Sequence, residues 1–250
     1  MSTTIQLHLR RQFLTQDPGG HNRWETETMV RTLPGSQVAI IVCDMWDNHW
    51  SRGAAERVDA MAPRMDRVLA AARSKGVHII HAPSNTLDFY GTAPARLRML
   101  AVPSYPPPTP LERPDPPLPI DDSDEGSDTG ETTPFRAWTR QHPALHIDQQ
   151  RDGISDNGQE IYSYLRHHQI AQTLIMGVHT NMCVLNRSFG IKQMVRWGVE
   201  IALVRDLTDT MYNPAMCPYV SHDEGTRLVI GYIEKFWCPS VASTDLTEPD

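Results

Sequence analysis

Four continuous apolar runs, rich in β-branched residues, recur along the chain. They occupy residues 37–43, 77–82, 173–178 and 200–206. Runs this apolar predict strands that are covered on both faces, which is typical of a parallel sheet and not of a sheet that faces water on one side. A shorter run at 144–148 predicts one more strand.

Between these runs the apolar residues recur at helical spacing. The helical segments are 54–75, 158–168, 182–197 and 222–237. Strands that alternate with helices of this length predict right-handed βαβ crossovers. We therefore expect an α/β fold with three layers, in which a mostly parallel, Rossmann-like sheet carries helices on both faces.

A β-hairpin is predicted to precede this domain. Residues 4–14 and 23–32 have strand character, and the turn-forming sequence DPGG at 17–20 lies between them. We expect residues 1–250 to form a single domain, in which residues 1–34 are an N-terminal hairpin extension.

Residues 103–135 interrupt the alternation with a proline-rich, acidic insertion. This segment holds ten of the twenty prolines, and its eight acidic residues and one arginine give it the whole formal net charge of −7. Its first half should be extended and polyproline-like, and its second half has few apolar residues to anchor it. A solvated insertion is one interpretation, and an acidic flap that binds a cation or a positively charged substrate is the other. Its acids do not match the spacing of a calcium loop.

The rest of the chain is balanced in charge, which gives no electrostatic reason to expect nucleic acid or an anionic membrane as a partner. No stretch has the pattern of a signal peptide or of a membrane span, so we expect a soluble, cytoplasmic protein. The four cysteines, Cys43, Cys183, Cys217 and Cys238, form no C-x-x-C pair and are expected to be free thiols.

Two residues at predicted strand ends have the chemistry of a catalytic pair. In an open parallel sheet, ligands bind beyond the carboxyl ends of the strands. Asp44 ends the first buried strand in VCDMWDNHW, where it is either a loop cap or a functional carboxylate. Cys183 lies in GVHTNMCV, where a strand turns into a helix. A helix N-terminus favours a thiolate, although a lone cysteine is also a common buried residue.

Taken together, GVHTNMCV and VCDMWDNHW resemble the nucleophile turn and the aspartate strand of the isochorismatase-like cysteine hydrolases, over roughly residues 35–240. This superfamily includes nicotinamidases, N-carbamoylsarcosine amidases and ureidoacrylate hydrolases. The resemblance implies that Cys183 attacks a carbonyl carbon and that Asp44 accepts the thiol proton and later protonates the leaving nitrogen. It also implies a cis peptide at Val178–His179, which would direct the backbone N–H groups of His179 and Cys183 into one oxyanion hole.

The chain departs from the family pattern at the third catalytic residue. The family has a lysine in the segment that corresponds to 146–158, and this chain has none there. Arg151 is the only nearby cation, and we expect it to stabilise negative charge or to orient Asp44, because an arginine does not readily give up its proton. Arg187, four residues after Cys183 and on the same helix face, either binds a substrate carboxylate or packs against the sheet.

A second departure concerns metal. Nicotinamidases carry an Asp-x-His motif after the second core strand, whereas His81 and Asp88 of this chain have the wrong spacing. A different metal site, made of Asp44, Asp47, His49 and His179, is an alternative, but we assign no metal and no cofactor. The residues expected to line the substrate pocket are Trp46, Asp47, His49, Thr180, Asn181, Arg187 and Tyr212, of which Thr180 and Asn181 also support the nucleophile turn.

We therefore predict a cysteine hydrolase that cleaves a C–N bond of a small amide, carbamoyl or ureido substrate through a Cys183 thioester. A catalytically silent family member that uses the pocket for binding or assembly is the alternative, and a metal-dependent hydrolase is a third. The partner is expected to be a small molecule, and the resemblance implies a homo-oligomer.

Overall fold

The apolar runs form the central strands of an eight-stranded sheet in the computed structural model, which describes residues 3–247. Across the sheet the strands follow the order β2-β1-β8-β7-β6-β3-β4-β5. Strands β3 to β8 run parallel to one another, and β1 runs antiparallel to β2 and β8. In chain order the strands are β1 (Thr4–Gln16), β2 (Asn22–Pro34), β3 (Val38–Cys43), β4 (His78–Ala82), β5 (Gly153–Ile154), β6 (Gln172–Val178), β7 (Ile201–Asp209) and β8 (Ser240–Val241).

Helices cover both faces of the sheet, which confirms the predicted three-layer α/β fold. Alternate residues of β3 enter two separate cores, because side chains of a strand point to opposite faces in turn. No helix within residues 3–247 has the length and apolar character needed to cross a lipid bilayer. The helices are α1 (Arg52–Ser74), α2 (Pro94–Leu100), α3 (Gly158–His167), α4 (Cys183–Asn186), α5 (Ile191–Arg196), α6 (His222–Phe236) and α7 (Thr244–Thr247). Two 3₁₀ turns lie at Gly35–Gln37 and Leu87–Tyr90.

The predicted helix over 182–197 is wrong in one respect, because it is two helices with a break at residues 187–190. Arg187 leaves the helical conformation with ψ at 158°. The turn is tight: a Cβ atom on Gly190 would lie 2.9 Å from the Arg187 nitrogen and from the Val184 oxygen. Arg187 therefore occupies a fixed bend between α4 and α5 and not the face of a continuous helix.

The strand predicted at 144–148 is also wrong. Leu145 is buried, but its backbone N–H donates to the His142 carbonyl in a turn. The next residue, His146, donates its N–H to the Asp66 carboxylate instead of to a neighbouring strand. The short strand β5 at Gly153–Ile154 pairs with β4 in its place. A single apolar run does not specify a strand here, because a turn and the Asp66 side chain already satisfy the backbone N–H groups of this segment.

The acidic insertion is held against the domain at several points, although most residues from 104 to 117 are exposed, as the solvated interpretation expects. Asp115 forms an ion pair with Lys192 at 2.9 Å, and Asp128 forms one with Arg57 at 2.8 Å. Ile120 is 6% exposed and packs into the core. Part of the negative charge of the segment is therefore paired with cations of the domain.

A buried ion pair joins α1 to the turn before β5. Arg73 and Asp152 are 7% and 1% exposed, and Arg73 Nη2 lies 2.8 Å from Asp152 Oδ2. The same oxygen lies 3.1 Å from His81 Nε2, and His81 Nδ1 lies 2.7 Å from Gln141 Oε1. Both ring nitrogens of His81 therefore have structural partners.

We expect Asp152→Ala to lower the free energy of unfolding by about 3–5 kcal/mol, because the substitution leaves the Arg73 charge buried without its partner. Arg151→Ala is the matched control. It removes only a surface ion pair, so we expect a change within about 0.5 kcal/mol. Chemical denaturation of both variants measures the difference, and an equal effect of the two substitutions would contradict the assignment.

Candidate active site

The carboxyl ends of β3 and β6 meet at one edge of the sheet, and each is followed at once by a polar residue. Asp44 comes after β3 and His179 after β6. The Asp44 side chain is fully buried, and its backbone has a left-handed φ of 46°. A non-glycine residue in this conformation is uncommon and occurs at turns and functional sites.

Both carboxylate oxygens of Asp44 are hydrogen-bonded. Oδ1 accepts from the Ser84 backbone N–H at 2.8 Å, and Oδ2 accepts from Arg187 Nε at 2.9 Å. Burial raises the pKa of Asp44, while the positive charge of Arg187 and the hydrogen bonds from Ser84 and Cys183 lower it. The pKa remains above its ordinary value, so this carboxylate is suited to accept a proton.

Cys183 is the first residue of α4 and is partly exposed. Burial of its sulfur raises the pKa of the thiol well above the ordinary value, and the charge of Asp44 and a hydrogen bond to Asp44 raise it further. Arg187 and the backbone N–H of His179 lower it. The helix α4 has only four residues and the nearest charge is negative, so the burial and charge at this site oppose the thiolate that a helix N-terminus would favour.

The turn from β6 to α4 contains the cis peptide at Val178–His179 that the family resemblance implies. The His179 carbonyl accepts hydrogen bonds from the N–H groups of Met182 and Val184, at 3.0 and 3.1 Å. The backbone N–H of His179 is near enough to the Cys183 sulfur to lower the pKa of its thiol. The Cys183 N–H has no hydrogen-bond acceptor among residues 3–247.

Arg187 is the cation at the site. Its side chain is 31% exposed and its Nε donates to Asp44, so neither of the two roles considered from the sequence describes it fully. Arg151 lies elsewhere. It precedes β5 and so lies at the amino end of that strand, whereas the site is at the carboxyl ends of the parallel strands. Its exposed side chain binds Asp148 at 2.6 Å. It therefore cannot orient Asp44, and that expectation is corrected.

Aromatic rings cover the site from one side. Trp46 stacks on Trp138 with ring centroids 4.0 Å apart, and His49 stacks on Trp138 at 5.7 Å. Trp138 belongs to the segment that follows the acidic insertion. This segment is fixed by Asp47, whose carboxylate accepts hydrogen bonds from the N–H and hydroxyl groups of Thr139 at 2.8 and 2.6 Å. Burial raises the pKa of Asp47, but these hydrogen bonds lower it more, so Asp47 stays ionised.

The imidazole of His179 is 2% exposed, and its Nε2 atom has no hydrogen-bond partner among the described residues. Burial, and then the neighbouring His49, lower the pKa of His179 to about 3. Burial also lowers the pKa of His49 to about 4. Both rings are therefore neutral near neutral pH. Beside them lies a cavity of about 50 Å³, which is also lined by Asp44 and Trp46.

A partly buried group of four charged or titratable side chains lies near His179. Asp209, at the end of β7, accepts from Arg57 Nε at 2.9 Å and lies 2.9 Å from His222 Nε2. Arg57 also binds Asp128 of the insertion. Burial lowers the pKa of His222, but the hydrogen bond and charge of Asp209 raise it more. This group ties the insertion to the edge of the sheet that carries the site.

Three residues expected in the pocket have structural partners instead. The Thr180 hydroxyl lies 2.7 Å from that of Thr208. Asn181 is 1% exposed and donates to Asp122 of the insertion at 2.7 Å. Tyr212 is fully buried, and its hydroxyl donates to the Met216 carbonyl. The first two support the nucleophile turn, and Tyr212 belongs to the core.

The alternative metal site is not assembled. In residues 3–247, no group of three or more His, Cys, Asp or Glu side chains has an arrangement that could hold a metal ion. Asp44 and Asp47 bind donors of the protein itself, and His49 Nδ1 accepts from the Ser51 N–H at 3.1 Å.

The sequence predicted the position of Arg187 only in part and did not predict that of Trp138. Arg187 pairs with Asp44, and Trp138 stacks on Trp46. The i+4 spacing from Cys183 did indicate that Arg187 is near the site. Trp138 gave no signal, because its position depends on how the whole insertion folds back.

A three-layer α/β fold with a partly exposed Cys183 next to a buried Asp44 at the carboxyl edge of its sheet is a cysteine-hydrolase type of architecture. The Isochorismatase domain model matches residues 38–215, which is most of the chain, so the protein belongs to the isochorismatase family. Membership of this family supports hydrolase activity in general. A search of curated proteins found no match.

Solved structures share the fold. A cysteine hydrolase from Pseudomonas syringae pv. phaseolicola 1448A is 16% identical with a TM-score of 0.52, covering 86% of this chain and 92% of the other. An isochorismatase family protein from Burkholderia thailandensis is 14% identical with a TM-score of 0.46, covering 86% and 97%. N-carbamoylsarcosine amidase from Thermoplasma acidophilum is 10% identical with a TM-score of 0.44, covering 83% and 96%. At identities this low, structural similarity shows only a shared fold, and the similarity to the Pseudomonas syringae enzyme shows it.

We expect Asp44→Asn to lower the pKa of the Cys183 thiol and Arg187→Met to raise it, which the pH dependence of alkylation of Cys183 by iodoacetamide reports. Beyond the effect of burial, Asp44 raises the pKa of the Cys183 thiol and Arg187 lowers it, so removing each charge shifts the thiolate fraction in opposite directions. Mass spectrometry of the labelled peptide gives the rate, and the exposed Cys217 is an internal control whose rate should not change. The same pH dependence in all three proteins would show that Cys183 is not coupled to these charges.

Proposed function

We propose that this protein is a cysteine hydrolase that cleaves the C–N bond of a small amide, carbamoyl or ureido compound. The observation that carries the proposal is a group of three side chains: the buried Asp44 carboxylate is ion-paired to Arg187 at 2.9 Å, and its charge acts on the neighbouring Cys183 thiol and raises the pKa of that thiol. A nucleophile, a proton acceptor and a fixed cation are thus in contact at one strand edge.

In the first step the Cys183 sulfur attacks the substrate carbonyl carbon, and its proton passes to Asp44. The raised pKa of the thiol means that the resting enzyme holds a neutral thiol, so transfer to the carboxylate must accompany the attack. The negative charge that develops on the carbonyl oxygen is stabilised by the backbone N–H groups of His179 and Cys183.

In the second step the C–N bond breaks, and the proton on Asp44 passes to the leaving nitrogen. The product is an amine or ammonia, and the acyl group remains as a thioester on Cys183. A water molecule then attacks the thioester carbon while Asp44 accepts its proton, and the C–S bond breaks to release the acid and restore the thiol.

Arg187 takes the place of the lysine that the family resemblance implies, with a different role. Burial lowers the pKa of the guanidinium, but the charge of Asp44 raises it more, so Arg187 cannot transfer a proton. It keeps Asp44 ionised until the thiol proton arrives. Proton transfer in this proposal therefore uses Asp44 alone.

The cavity beside His179 is lined by Asp44 and Trp46 but not by Cys183, and its size supports a small group next to the catalytic carboxylate. A volume of about 50 Å³ is far below the 300–1,000 Å³, roughly, of sites for larger ligands. The unpartnered Nε2 of His179 offers one hydrogen bond to such a group, and the Trp46 ring offers a flat apolar wall. A planar amide or urea head has the shape and hydrogen-bonding groups to match.

We expect the wild-type protein to release ammonia or amine from one or more members of a panel of small amides, carbamoyl compounds and ureides. Cys183→Ala should lower the rate by about 10³-fold or more, because the covalent intermediate cannot form. Cys217→Ala, at an exposed cysteine away from the site, is the matched control and should be fully active. Full activity of Cys183→Ala would refute the mechanism, and a panel without any turnover would favour the catalytically silent alternative that the missing lysine suggests.

We expect the acidic limb of the pH profile of kcat/KM to move to higher pH in Arg187→Met. Asp44 must be ionised to act. Burial raises its pKa and Arg187 opposes that effect, so losing Arg187 raises the pKa further. Arg187→Lys should keep the limb close to wild type, because a cation remains.

Arg196→Met is the control for this profile, since Arg196 is a partly exposed arginine of the neighbouring helix that lies 3.9 Å from Asp115. The acidic limb of the pH profile of Arg196→Met should stay at the wild-type position. An unchanged limb in Arg187→Met would show that Asp44 is not the group that titrates.

A further inference from the structure

The outer edge of the N-terminal hairpin is a long strand without a neighbour among the described residues. β2 spans thirteen residues, ends the sheet, and lies outside residues 38–215 that match the family model. Long exposed edge strands are templates for pairing with another chain, and most proteins shorten or block them. The only proline in β2 is Pro34, at its very end, so no proline interrupts the edge before that residue.

The hydrogen-bond pattern of the hairpin shows which backbone groups of β2 face outward. At its two ends the Asp17 N–H donates to the His21 carbonyl, and the Gly35 N–H donates to the Thr3 carbonyl. Bonded pairs alternate along an antiparallel ladder, so the odd-numbered residues of β2 bind β1. The even-numbered residues point away, and in the described part of the chain their backbone groups have no partner: Trp24, Thr26, Thr28, Val30 and Thr32.

The side chains of this edge are complementary to themselves. When two copies of β2 lie antiparallel about Met29, Met29 faces Met29 and each Glu27 faces Arg31 of the other copy, whose guanidinium also donates to Gln172 Oε1 of its own chain at 2.9 Å. Cross-strand pairs of opposite charge stabilise a sheet, and like charges oppose it. A register about Glu27 would instead place Glu27 against Glu27 and Arg23 against Arg31. The outward backbone groups of the even-numbered residues match one another in both registers, so the side-chain charges decide between them.

The pairing would also extend two cross-strand rows of side chains that the hairpin already contains. Arg11 lies opposite Glu27 within the hairpin, so Glu27 would lie between two arginines, Arg11 and the Arg31 of the second copy. Leu9, which is 4% exposed, lies opposite Met29, which is 59% exposed. The two exposed Met29 side chains would then be covered by each other between two buried leucines.

We propose that β2 is the interface between two copies of this chain, which pair antiparallel about Met29 and join their sheets into one. The occupant is a second copy because the charges of the edge complement themselves and because the outward backbone groups need donors and acceptors in the same spacing. The interface is independent of the catalytic proposal, since it lies on the extension and not at the carboxyl edge of the sheet.

The first test is the molar mass of the full-length protein in solution, measured by light scattering on a sizing column. Wild type should have the mass of a dimer or of a larger even-numbered assembly. Met29→Arg should halve that mass, because it places two cations against each other at the centre of the interface. Phe13→Arg is the matched control, since Phe13 is an exposed apolar residue on the same face of the inner strand β1 and should leave the mass unchanged.

Thr28→Pro tests the backbone pairing itself. Its N–H faces outward, so proline removes no bond to β1 and is tolerated at an edge, but it blocks the new ladder. We expect this variant also to halve the mass while the far-ultraviolet circular dichroism stays that of wild type. A monomeric wild type, or a dimer that survives both Met29→Arg and Thr28→Pro, would overturn the proposal.

A cross-link tests the register. The two Met29 residues would form a non-hydrogen-bonded pair with Cα atoms about 4.5 Å apart, within the range of a disulfide. With oxidised glutathione as the oxidant, Met29→Cys should give a covalent dimer, whereas Glu25→Cys, which faces Leu33, should not. Equal cross-linking of the two variants would overturn the register.

Discussion

The carboxylate of Asp44 has no exposed surface, and the organisation of the site follows from the need to keep that charge stable. An ionised carboxylate away from water is costly unless donors and a cation surround it. Ser84 supplies a backbone N–H, Arg187 supplies the cation, and the Cys183 thiol supplies a third hydrogen bond. These donors come from the segments that follow β4 and β6, so the ends of β3, β4 and β6 must all be in place before Asp44 is stabilised.

The same constraint explains why the chain can lack the family's lysine. A lysine could share or release its proton, whereas an arginine holds its charge throughout. The bend after α4 places Arg187 next to Asp44 from the side of the nucleophile and not from the segment at 146–158. The cation therefore fixes the ionisation of Asp44, and the raised pKa of Cys183 makes Asp44 the natural acceptor of the thiol proton.

Local patterns predicted the parts of the structure that local forces determine. The apolar run at 37–43 became β3, since a strand buried on both faces needs such a sequence. The family motif around Cys183 led to the cis peptide and to the pairing with Asp44. Long-range contacts were not predictable. Trp138 lies at the site because hydrogen bonds between Asp47 and Thr139 fix its segment. The run at 144–148 forms turns instead of the predicted strand. Charge composition likewise indicated how acidic the insertion is but not that Asp115, Asp122 and Asp128 each bind a donor of the domain.

The central claim is that Cys183, Asp44 and Arg187 act as one coupled unit, and a double-mutant cycle tests it most directly. The quantity to measure is the rate constant for alkylation of Cys183 in wild type, Asp44→Asn, Arg187→Met and the double variant. A coupled unit predicts that the effect of removing Arg187 differs clearly between the wild-type background and the Asp44→Asn background. Effects that simply add would contradict the claim, because Arg187 would then act on Cys183 without Asp44.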